Sequence, residues 1–176
     1  HEPRHQLLRH RYYLSAKFFI QATPGPEPVF AEQQERLKTD CIGFYLPHSL
    51  SEESVETLTR FAGRHSWDFA QLRINYFDWQ YGEAREPYRV LEERNIPIMV
   101  MEPVRGGRLA DLTPEANALL KAAHPDWSIA SRALRFVKCL PQVRVILSGM
   151  STLGQIEDNV STFAASRSAI TTRSCS

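Results

Sequence analysis

Short apolar runs alternate along the chain with longer stretches whose apolar residues recur every three or four positions. Such alternation predicts strands and amphipathic helices in turn. The aromatic-rich run at 12–20, YYLSAKFFI, reads as a first strand. A proline-rich turn, TPGPEP, separates it from a predicted helix at 30–39, with Ala31 and Leu37 among its inward positions. Residues 42–46, IGFYL, form a second short strand that ends at Pro47-His48. Ser51 offers an N-cap for a helix at 52–64, in which Val55, Leu58 and Phe61 recur at helical spacing. Glu52 and Glu53 suit the positive end of that helix dipole.

A third strand is predicted at 69–76, followed by a helix at about 83–94 that Pro87 interrupts near its start. IPIMVM at 96–101 is the clearest buried strand in the chain. Thr113-Pro114-Glu115 then places a capping residue, a first-turn proline and an acid in the favoured order. Ser128 opens a helix at 129–140 with Leu134 and Val137 inside, and 143–147 is the fifth strand. Ser151 is expected to cap a last helix reaching about Phe163. The segment 164–176 has no apolar period and is expected to be a disordered tail. With no internal repeat and no low-complexity linker, residues 1–163 read as one domain.

Five strands alternating with helices predict an α/β fold with a parallel sheet. Two architectures satisfy that pattern, an open doubly wound sheet and part of a (β/α)8 barrel. No GxGxxG follows the first strand, which removes the main reason to choose a dinucleotide-binding Rossmann sheet.

Composition narrows the function classes. Lys and Arg number 21 against 20 Asp and Glu, a net charge of +1, which argues against a nucleic-acid surface that relies on a strong global positive field. A local basic patch is compatible with that balance. No apolar run approaches the length of a membrane span, and the basic opening HEPRHQLLRHR makes a poor signal peptide. The three cysteines lie far apart without CxxC spacing, so no metal site is expected and a reducing, cytoplasmic location is. Because the first residue is His, the chain is expected to be processed, tagged or cut from something longer.

Several segments carry a family resemblance. YYLSAKF at 12–18, IMVMEPVRGGRLADL at 98–112 and VILSGMSTLGQIEDNV at 145–160 strongly resemble the aldo/keto reductases. RLKTDCIGFYLPH, WDFAQLRINYFDWQYG and SIASRALRFVKCLPQV are similar to the bacterial subgroup that often carries an iron–sulfur tail. The resemblance runs from Tyr12 to Phe163 and implies a (β/α)8 TIM barrel that binds NADP(H) at the carboxyl ends of its strands. It aligns the five strands with barrel strands three, four, six, seven and eight. Strands one and two would precede His1, and strand five should fall between His48 and Trp67, where only one helix has room. A barrel of this kind takes about 250 residues, so an incomplete barrel, truncated at its beginning and shortened inside, is expected.

The same resemblance implies the chemistry. In the family a Tyr donates a proton to the substrate carbonyl oxygen while the nicotinamide delivers hydride, and a Lys, an Asp and a His tune the Tyr and orient the substrate. A phenol needs a neighbouring cation because its pKa of about 10 makes it a poor acid near neutrality. Lys17 matches the family's Lys, although its pattern alone reads as a solvated residue of an edge strand. His48 matches the catalytic His at the end of strand four, or else a His near strand five of the family. The family's Tyr and Asp lie upstream of Lys17; Tyr12 and Tyr13 do not match them, so an impaired reductase is expected.

On the cofactor side, Gln71 matches the residue that hydrogen-bonds the nicotinamide carboxamide. Asn75 and Tyr76 share its strand and could equally be packing residues. Met101-Glu102 stands where other members have a stacking aromatic. Gly106, Gly107 and Leu109 in VRGGRL align with the loop that approaches the pyrophosphate, where glycines allow close backbone contact; read as a bare motif, Gly-Gly is a plain turn. Ser148, Gly149, Met150, Ser151 and Thr152 align with the seat of the adenosine 2′-phosphate, which a helix N-terminus suits. Gln155 and Asn159 align with positions facing adenine. Arg105 and Arg108 are candidate phosphate partners, or solvated loop residues.

After Phe163 only Cys175 follows, so no iron–sulfur cluster is expected. The implied substrate is a small aldehyde or ketone. A different class, a non-catalytic barrel fragment that binds a nucleotide or associates with itself through unpaired strand edges, fits the missing strands. An aldolase-like barrel would need a Schiff-base lysine in the late strands, and none is present there.

Overall fold

The computed structural model describes residues 14–17, 26–37, 42–45, 52–64 and 66–164. The strands are β1 (Leu14–Lys17), β2 (Ile42–Tyr45), β3 (Phe69–Arg73), β4 (Ile98–Met101) and β5 (Val143–Ile146). The helices are α1 (Pro26–Leu37), α2 (Glu52–Ala62), α3 (Tyr76–Tyr81), α4 (Arg85–Glu93), α5 (Pro114–Ala123), α6 (Ile129–Lys138) and α7 (Leu153–Ala164). All neighbouring strands pair in parallel, and their order across the sheet is their order in the chain.

That order decides between the two architectures. A doubly wound sheet reverses its strand order at a switch point. Here every crossover adds the next strand on the same side, as in the wall of a barrel. The structure is an α/β fold and an incomplete (β/α)8 barrel.

Period-two alternation sorts the side chains of the wall. Phe44, Ala70, Leu72, Ile74, Ile98 and Val100 face the helices and form the core with Leu58, Phe61, Trp67, Leu91 and Val137. Phe44 meets Phe61 and Trp67 edge-on, at centroid distances of 5.5 and 4.8 Å. Gly43, Tyr45, Phe69, Gln71 and Arg73 alternate with these core residues and so lie on the opposite, inner face. Two predicted caps are in place: Thr113 accepts from the Ala116 N–H at 3.3 Å, and Ser128 accepts from the Ser131 N–H at 2.9 Å.

Other expectations change. Helix α1 begins at Pro26, four positions before the predicted start, and Ala31 is exposed instead of inward. The third strand ends at Arg73, because Asn75 starts the short helix α3. Pro87 does not interrupt α4; it sits in the first turn, where a missing N–H costs no helical bond. The last helix is capped by Thr152, not Ser151: the Thr152 hydroxyl accepts from Gln155 N–H at 3.3 Å, and Gln155 Oε1 accepts from Thr152 N–H at 3.2 Å. This reciprocal pair is a capping box. His48 and Ser51 lie outside the described residues, as does the tail expected at 164–176 except for Ala164, the last residue of α7.

Candidate functional site

Parallel pairing makes all five strands end on one side of the sheet, and the candidate residues gather there. Lys17 is in register with Tyr45, Tyr45 with Gln71, Gln71 with Met99, and Met99 with Val145. This row crosses the whole wall. Neighbouring strands lie about 4.8 Å apart, so the Lys17 and Gln71 backbones are roughly 10 Å apart. Among the described residues, the Gln71 amide donates only to Met101 Sδ, at 3.6 Å. A thioether is a weak acceptor, so the amide keeps most of its hydrogen-bonding capacity for a ligand.

Tyr45 was not among the expected site residues, yet it stands between Lys17 and Gln71 in this row. Burial pushes its phenol above the ordinary value of 10.0, the Glu102 carboxylate adds to the rise, and Arg73 opposes it. Its strand position was legible, since it alternates with Phe44 and therefore shares a face with the site.

The loop after β4 carries an unusual backbone. Glu102, Arg105, Gly106 and Gly107 have φ of 51°, 50°, 62° and 89°. The left-handed region suits glycine and strains other residues. Bonds from Arg105 N–H to Glu102 O (3.0 Å) and from Gly107 and Leu109 N–H to Val104 O (3.0 and 3.1 Å) close the turn. A Cβ at Gly106 or Gly107 would meet nothing within 4 Å, so a ligand can reach that backbone. Leu109 is buried and anchors the loop through its side chain.

Arg105 is half-buried and paired within the protein. Its Nε lies 3.4 Å from Asp78 Oδ1 and its guanidinium stacks on Phe77 at 4.4 Å. Arg108 is exposed. Asn75 and Tyr76 have structural roles: Asn75 Oδ1 accepts from Asp78 N–H at 2.8 Å and caps α3, and Tyr76 packs edge-on against Phe136 at 6.4 Å.

The turn after β5 follows directly on the wall, because Leu147 N–H donates to Val100 O at 2.8 Å. Gly149 and Gly154 have open space where a Cβ would lie. Gln155 Oε1 accepts from Ser151 N–H at 2.8 Å as well as from Thr152 N–H, so one oxygen sits against both amides at the mouth of α7. Asn159 Nδ2 donates to Ser148 Oγ at 3.0 Å and braces the turn from the helix. Met150 is exposed. Since β4 and β5 are paired and parallel, the Gly106-Gly107 loop and the Ser148–Thr152 turn leave the wall side by side. The register thus places Lys17 and Gln71 in one row, and the two loops follow the paired strands β4 and β5; His48 lies outside the described residues. Among the described residues there is no group of three His, Cys, Asp or Glu that could hold a metal ion, and no helix long and apolar enough to cross a membrane.

The fold of this wall is shared with a solved structure. A solved aldo-keto reductase from Bacillus halodurans, in its holo form, aligns with a TM-score of 0.53 at 16% identity, covering 90% of this chain and 69% of its own. A structure assigned as a 2,5-diketo-D-gluconic acid reductase B aligns with a TM-score of 0.47 at 14% identity, covering 88% of this chain and 63% of its own. No curated protein sequence matches. The sequence model of the aldo/keto reductase family matches residues 48–171, a span that holds β3, β4, β5 and both of the loops described above, and the chain belongs to that family.

Proposed function

We propose that the chain is an NADP(H)-binding oxidoreductase whose substrate is an aldehyde or a ketone. The observation that carries this reading is the side-by-side exit of the open glycine loop and the capped turn of α7. The residues fit the dinucleotide phosphates. The mouth of α7 offers the Ser151 and Thr152 amides, already satisfied by a single oxygen of Gln155, and a phosphate oxygen can take that oxygen's place when the Gln155 side chain swings aside. Gly106 and Gly107 leave the backbone open to a pyrophosphate, and Gln71 would hold the nicotinamide carboxamide.

When bound, NADPH would supply hydride to the carbonyl carbon. The chain's part is to orient the substrate and handle the proton on its oxygen, with Lys17 and His48 in the roles that the family resemblance gives them. Residues 1–176 hold no counterpart of the family's Tyr and Asp, so this reading assigns these residues cofactor binding, with weak turnover when they act alone.

Titrating the chain with NADPH and following nicotinamide fluorescence tests the reading. Saturation is expected with a dissociation constant between about 1 μM and 1 mM. NADH should bind more weakly, by up to about thirtyfold, because a 2′-phosphate at a helix N-terminus contributes up to about 2 kcal/mol. Equal binding of the two dinucleotides, or no saturation, counts against it.

A second reading, association between two copies of the chain, is favoured by the outer surface of the last unit. Among the described residues nothing pairs with the free edge of β5, and α7 shows Leu153 at 70% and Val160 at 61% exposure beside Ile156 and Phe163. Such surface invites pairing. Sedimentation should show a dimer at micromolar concentration; a monomer that persists at high concentration rejects this reading.

A further inference from the structure

The segment 75–78 grips the strained loop after β4 at both of its non-glycine left-handed residues. Glu102 is held through its backbone carbonyl, which accepts from Asn75 Nδ2 at 3.3 Å. Arg105 is held through its guanidinium, by the ion pair with Asp78 and the stack on Phe77. Non-glycine residues stay in this conformation only where their surroundings over-determine it.

Asp78 is the centre of that grip. It is only 3% exposed, and an unpaired carboxylate there would be unstable. Each of its oxygens has its own partners. Oδ1 faces Arg105, while Oδ2 lies 3.2 Å from Arg73 Nε and accepts from Asn75 Nδ2 at 2.8 Å. Arg73 ends β3, so the carboxylate ties the end of one strand to the loop that leaves the next.

We propose that Asp78 is a positioning residue, which sets the left-handed run Arg105–Gly107 through Arg105 and so holds the glycine backbone ready for the pyrophosphate. This rests on the reading that the loop receives a dinucleotide. It requires no contact between Asp78 and the cofactor.

The test compares the chain with its Asp78→Asn and Arg105→Met variants. Amide hydrogen exchange in the unliganded protein reports the loop, and calorimetric titration with NADPH and with adenosine 2′-phosphate reports binding. Asp78→Asn should speed exchange at 105–109 and leave 151–155 as it was. NADPH affinity should fall about 10- to 100-fold, by analogy with the loss of an outer partner behind a metal ligand. Adenosine 2′-phosphate needs only the turn at α7, so its affinity should stay within about twofold. A general loss of structure would weaken both ligands alike and refute the split.

Arg105→Met should act in the same direction, and its side chain is 33% exposed, so it decides the matter if Asp78→Asn fails to fold. Wild-type exchange rates at 105–109 in both variants, or unchanged NADPH affinity, overturn the proposal. If the unaltered chain does not bind NADPH at all, the functional reading fails instead, and the exchange data still decide whether Asp78 holds the loop.

Discussion

Given NADPH and a reactive aldehyde, residues 1–176 by themselves are expected to bind the cofactor yet reduce the carbonyl about 10²–10⁴-fold more slowly than a site with a positioned acid. Hydride addition leaves negative charge on the carbonyl oxygen, and without a donor that charge must be met by solvent. Single-turnover oxidation of bound NADPH measures the rate. Added weak acids should accelerate it in proportion to their concentration, because they supply the missing proton. A fast rate that ignores added acid would mean that the chain carries its own donor. Tyr45 would then be the first candidate, since its backbone lies in register between Lys17 and Gln71. The pH profile separates that case from a histidine. Burial and Glu102 hold the Tyr45 phenol above 10.0, so its protonated form persists through neutrality. A rate carried by Tyr45 stays level up to about pH 10 and falls only beyond the raised pKa, and Tyr45→Phe removes it. A rate that already falls between about pH 6 and 8 would point to an imidazole.

The sequence carried the wall of this fold well, because burial on two faces leaves a strong signal. IPIMVM was legible as a strand, and Ile98 and Val100 are fully buried. The caps at Thr113 and Ser128 followed from local chemistry that tertiary context does not override. Errors arose where two local rules competed. Ile74 continues the alternation of β3, which hid the start of α3, although Asn75 three positions before Asp78 is itself a capping pattern. Ser151 and Thr152 are both capping residues, but only Thr152 has a glutamine three positions on, and the reciprocal bond chose it. Ala31 is too small to report burial by type. The Arg105–Asp78 pair was invisible for another reason: its partners leave adjacent strands that are distant in the chain, and only the sheet order makes them neighbours.

The floor beneath the register row gives the second large effect. Gly43 and Phe69 are in register on β2 and β3, each two residues before a member of that row, Tyr45 and Gln71. A Cβ at Gly43 would overlap the Phe69 ring at Cε1, Cζ and Cε2, so the ring rests directly on the glycine backbone. Phe69 is itself buried, and a ring enclosed in this way cannot swing into solvent to make room. Gly43→Ala should therefore destabilise the chain by about 1–3 kcal/mol, as overpacking does. Phe69→Ala should cost about 3–5 kcal/mol through the opposite fault, a cavity. The double variant should be less damaged than the two single losses together, because the new methyl enters the space the ring has left; a coupling of about 0.5–3 kcal/mol is expected. Urea denaturation of the four proteins measures it. Strict additivity, or a neutral Gly43→Ala, would mean that the ring is free to move.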